Sequence, residues 1–146
     1  MTNLDNLNSF RKTRPTPVTC GLSDVVVSEF LEDDKSLQYI LSNFQKAFDK
    51  FAASSPELVS LNEEELMKKV QEKILNFYPE ENKSPYVPLI AKGPWVLTLF
   101  GSILYDIGGY GMLGFGHNPD SVMEALREDQ CMANVMTPHA LSLIHI

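Results

Sequence analysis

Cysteine is scarce in this chain: only Cys20 and Cys131 occur among 146 residues, and neither has a second cysteine or a histidine nearby at metal-site spacing. A disulfide framework and a Cys/His zinc site are therefore not expected. Basic residues are also in short supply, 12 against 19 acidic, which leaves a net charge of −7 at pH 7. Such a surface repels nucleic-acid phosphates and anionic lipid headgroups, so neither nucleic acid nor a membrane surface is an expected partner. No apolar run approaches the roughly 20 residues that span a bilayer. The N-terminus from Met1 to Phe10 is polar where a signal peptide would be hydrophobic. A cytoplasmic location is the expectation. What remains is the make-up of one globular domain, 44% hydrophobic and 21% charged.

Residues 1–21 are rich in Asn, Thr and Pro and show no sustained periodicity, which reads as a mobile arm. Residues 22–91 read as mainly helical. Leu37, Ile40, Leu41, Phe44, Phe48 and Phe51 recur at helical spacing behind Asp34 or Ser36 as N-cap, which predicts a helix over 36–53. Asn62 and Glu65 form a capping box flanked by Leu61 and Leu66, so a second helix is expected from Glu63 to Phe77, before Pro79. The pattern then turns extended. Residues 95–100 and 103–107 read as a β-hairpin about a two-residue Gly101-Ser102 turn. Asn118 as N-cap and Pro119 at the first helical position predict a short helix over 119–128, and 131–137 reads as a strand.

Little isolated chemistry stands out. The glycine-rich stretch from Gly108 to Gly116 lacks the Lys-Ser or Lys-Thr of a P-loop and the spacing of a dinucleotide fingerprint. His117, between that stretch and a helix start, reads as a structural hydrogen-bonder rather than a ligand or base. No serine or cysteine sits in a nucleophile-elbow pattern.

In combination, the residues say more. Gly93-Pro94-Trp95-Val96, Leu104-Tyr105-Asp106, the glycine-rich stretch, and Gly116-His117-Asn118-Pro119 followed by Val122, Ala125 and Leu126 resemble the N-terminal signature of class-III pyridoxal-phosphate-dependent aminotransferases. The resemblance covers about residues 92–137. It departs from the family in the turn after Trp95-Val96, where Leu97-Thr98-Leu99-Phe100-Gly101 keeps the glycine but lacks the usual acid.

The resemblance implies an α/β parent of fold type I, a homodimer that passes an amino group from an amine or amino acid donor to a 2-oxo acid acceptor through pyridoxal 5'-phosphate. It makes residues 92–140 a small-domain segment. It also points to Tyr110, flanked by Gly109 and Gly111, as a wall of the substrate pocket. The Schiff-base lysine, the acid facing the pyridinium nitrogen and the phosphate cup fall downstream in the family, so no catalytic or cofactor-binding residue is expected here and the fragment alone is expected to be inactive. Residues 141–146 resemble a translated sequencing-adapter tail and read as non-native. The alternative to an enzyme segment is a small helical interaction module, docking through the apolar stripes of its two amphipathic helices.

Overall fold

The structure, a computed structural model, describes residues 3–72, 86–106 and 114–128. These residues form a mixed α/β arrangement of five α-helices and one three-stranded antiparallel sheet. In chain order they are α1 (Asn3–Arg11), α2 (Asp24–Leu31), α3 (Lys35–Ser54), α4 (Glu63–Gln71), β1 (Pro88–Lys92), β2 (Trp95–Thr98), β3 (Ile103–Tyr105) and α5 (Asp120–Ala125). No helix among the described residues is long and apolar enough to cross a membrane.

The long helix α3 organises the rest. Asp34 caps it, accepting from the backbone N–H groups of Ser36 at 2.8 Å and Leu37 at 2.9 Å, which satisfies two of the donors a helix start leaves unpaired. Its stripe of Leu37, Ile40, Leu41 and Phe44 is buried against Trp95, Leu97 and Ile103 of the sheet. Each such side chain contributes about 1.5–3 kcal/mol by leaving water. The stripe is thus covered by the chain's own sheet. The capping box of α4 forms as expected: Glu65 N–H donates to Asn62 at 2.9 Å, and Asn62 N–H donates to the Glu65 carboxylate at 3.2 Å. Leu66 then meets Leu99 and Phe100 in a second apolar cluster, with Leu61 at its margin. The expected continuation of this helix over 73–77 lies outside the described residues, as do the strand expected over 131–137 and the tail at 141–146.

The N-terminal segment corrects the expectation of a mobile arm. Asn3–Arg11 is helix α1, with Leu7 and Phe10 buried. The Phe10 ring meets Phe44 and Phe48 edge-on, at centroid distances of 5.3 and 5.0 Å. Farther along the same segment, the backbone N–H groups of Val18 and Thr19 donate to the buried Glu63 carboxylate at 2.6 and 2.8 Å. Leu4, Leu7 and Phe10 are too short a stripe to announce a helix by themselves. Their order comes from α3.

Within 22–91, read as mainly helical, α2, α3 and α4 are followed at the end by strand β1, which pairs antiparallel with β2 from Pro88↔Thr98 to Lys92↔Trp95. Proline opens this strand, a position that sheets tolerate. The turn between β1 and β2 is the two-residue Gly93-Pro94, with Gly93 at φ +56°.

The β2–β3 hairpin closes differently from expectation. Thr98 N–H donates to Ser102 O at 2.9 Å and Gly101 N–H to Thr98 O at 3.0 Å, enclosing a three-residue loop, Leu99 to Gly101, with Gly101 at φ +88°. This is the three-residue loop with a glycine bulge, favoured here because Leu99 and Phe100 sink into the second cluster. Asn118 likewise does not cap α5. Pro119 takes the cap position, and Asn118 adopts φ +47°, a left-handed conformation that asparagine tolerates.

Candidate functional site

Asp106, Gly116 and His117, from separate parts of the stretch that carries the resemblance, meet at its Gly93-Pro94 turn. Asp106 leaves β3 with its N–H donating to Pro94 O at 2.7 Å. Farther along the chain, His117 returns to the same turn through a two-way backbone bridge, Gly93 N–H to His117 O at 3.0 Å and His117 N–H to Gly93 O at 2.7 Å. His117 Nε2 also lies 3.2 Å from Asp106 Oδ2, both side chains being partly exposed. Close approach requires the glycine at 116: it has φ +73°, and a Cβ there would sit 2.7 Å from the Gly93 Cα.

A second set of contacts holds the segment after His117. Asn118 Nδ2 donates to Ala91 O at 2.9 Å. Lys92 Nζ donates to Asn118 O at 2.7 Å and to the Asp120 carboxylate, and lies 5.7 Å from the centroid of the Tyr39 ring. Beside this tie runs an open groove of about 470 Å³ along β1, lined in part by Tyr39, Lys92, Asn118, Asp120 and Arg127. Its charges are of both signs.

Tyr110, Gly109 and Gly111, the substrate-binding residues expected from the resemblance, lie outside the described residues. The structure brings together their neighbours on either side, Asp106 and Gly116-His117. Sequence reasoning took His117 as a hydrogen-bonder but did not find Asp106 as its partner, nor the roles of Lys92 and Asn118. The available signal was indirect: Asp106 and His117 both belong to the resemblance, and a strand end followed by a return to the preceding turn brings them within reach.

These residues do not fit pyridoxal phosphate as its covalent or phosphate-binding holders. Lys92 is engaged by Asp120, Asn118 and Tyr39. The N–H groups of Gly93 and His117, which could have cradled an anion, point at each other's carbonyls. The tie orients backbone and offers no cofactor anchor. Searches against family models, curated proteins and solved structures found no match to this chain.

Proposed function

We propose that this chain is the N-terminal small-domain segment of a class-III aminotransferase, a cytoplasmic homodimer of fold type I that transfers an amino group from an amine or amino acid to a 2-oxo acid. The observation that supports the reading is the meeting of Gly93, Asp106 and His117 in one hydrogen-bonded tie. Residues that carry the resemblance from separate parts of the sequence thus share a single structural task. In this reading the tie sets the two ends of the segment carrying Tyr110, whose ring, between Gly109 and Gly111, walls the substrate pocket. The cofactor's anchors lie outside this chain. Pyridoxal phosphate, when bound, supplies the electron sink for amino transfer.

The alternative, a helical module docking through its apolar stripes, has less to offer a partner because the α3 stripe is internal. Sequencing the transcript past the codon for Ala140 tests the proposal. A frame running on for several hundred codons, with a lysine after a large-domain strand, is the expected result. An immediate stop codon would contradict it.

A further inference from the structure

The Asp106–His117 contact spans a particular gap. Asp106 is where the chain leaves the sheet and His117 is where it returns, 11 residues later, and both are already bonded through backbone to the Gly93-Pro94 turn. The side-chain contact, 3.2 Å from His117 Nε2 to Asp106 Oδ2, joins the exit directly to the return. A carboxylate only accepts, so the contact is a hydrogen bond in the tautomer that carries its proton on Nε2, and Nδ1 takes no part in it. The return itself is left-handed at two residues: Gly116 and Asn118 have φ of +73° and +47°, a region open to glycine and tolerated by asparagine, and surrounding contacts hold the chain there. Those contacts are the Gly93 bridge, the Asn118 bond to Ala91 O and the Asp106 carboxylate. An ordinary exposed ion pair contributes little. The Asp106–His117 hydrogen bond is partly buried and lies across the two ends of a single segment.

We propose that Asp106 and His117 are a pair of positioning residues whose side-chain bond fixes the return of the chain at Gly116-His117 against its exit from β3. For its catalytic consequence the inference rests on the aminotransferase reading: the pair sets affinity for the amino donor from the ends of the Tyr110 segment without touching the substrate. For the pair itself it rests on geometry alone.

The test is a double-mutant cycle of Asp106→Ala and His117→Ala in the full chain, with His117→Gln as the conservative variant. The first readout is hydrogen exchange at the Gly93 and His117 amides, with Leu97 in β2 as the internal control. Each single alanine variant should speed exchange at the two bridge amides about five- to tenfold and leave Leu97 unchanged. The double variant should add nothing beyond the worse single. His117→Gln, whose side-chain amide can donate in place of Nε2–H, should restore most of the protection. Unchanged exchange in the singles, or multiplied effects in the double, would overturn the pair. In the active enzyme the same alanine variants should raise the donor KM more than they lower kcat, and an unaltered donor KM would overturn the substrate consequence. Coupled exchange in a protein with no amino-transfer activity would support the pair and defeat the aminotransferase reading.

Discussion

The carboxylate of Asp34 accepts the indole N–H of Trp95 at 2.8 Å, across 61 residues of sequence. The same carboxylate caps α3 through its other oxygen, so one side chain joins the helical N-terminal half to strand β2. Trp95 is fully buried, with Phe30 and Tyr105 edge-on to it at 5.5 and 4.9 Å.

Trp95→Phe keeps an aromatic ring but removes the indole donor to a charged acceptor, and should cost about 2 kcal/mol. Asp34→Ala removes the cap as well and should cost more, about 2–4 kcal/mol when the two losses add. Denaturant unfolding of the two variants checks the order. Equal losses would mean that the cap contributes nothing.

Acid should loosen α1. Partial burial pushes the Asp24 carboxyl up, but the hydrogen bonds from Arg11 and Asn8 and the Arg11 charge outweigh it, so its pKa lies below the ordinary value. Arg11 reaches Asp24 at 2.6 Å and also donates to Gly101 O at 2.9 Å. A depressed folded pKa gives stability that is present above the unfolded value of about 3.9 and lost as pH falls through the folded one. Because the pair is partly exposed, the contribution is held to about 1 kcal/mol. Wild type should therefore lose more stability than Asp24→Asn between about pH 4 and pH 2. Parallel pH profiles would refute this.

Two glycines next to His117 should respond oppositely to alanine. A Cβ at Gly114 meets nothing within 4 Å, and Gly114→Ala should change stability by no more than about 0.5 kcal/mol. Gly116→Ala combines φ +73° with a Cβ placed 2.7 Å from the Gly93 Cα and 2.8 Å from its carbonyl carbon. Backbone on both sides leaves little room to yield, so a loss above about 2 kcal/mol is expected. Thermal melts of both variants would show the contrast.

How far the sequence was legible depended on how local each signal was. The box of Asn62 and Glu65 is complete within four residues and forms as read, and of the two caps the sequence offers for α3, Asp34 and Ser36, the structure uses Asp34. Helix α1 was hidden because its order depends on Phe44, Phe48 and Gly101, far along the chain. Strand β1 was hidden by Pro88, a residue that reads as a breaker until its partner β2 is known. The hairpin loop was misjudged because Gly101-Ser102 has two-residue turn chemistry, while burial of Leu99 and Phe100 selected the longer loop. At the candidate site every residue type was visible, but the Asp106–His117 pairing required the bridge to Gly93.

On the aminotransferase proposal the Tyr110 ring lines the substrate pocket, and Tyr110→Ala should then impair the amino-donor half-reaction while fold and cofactor content stay nearly unchanged. Loss of a hydroxyl bond to a charged substrate group would cost Tyr110→Phe roughly 1.5–3 kcal/mol, about 10- to 150-fold in specificity. Single-turnover rates measured beside thermal stability check this. A lowered melting temperature with both half-reactions damaged together would instead make Tyr110 a packing residue.

The most direct measurement is an amino-transfer assay on the protein translated from the complete transcript, with pyridoxal phosphate, a panel of amines and amino acids as donors and a 2-oxo acid as acceptor, with borohydride reduction of the donor-free protein and mapping of the trapped lysine. The account predicts carbonyl product in step with donor consumed and one reduced cofactor adduct, on a lysine outside these 146 residues. No amino transfer from any donor, or a stoichiometric adduct on Lys92, would contradict it.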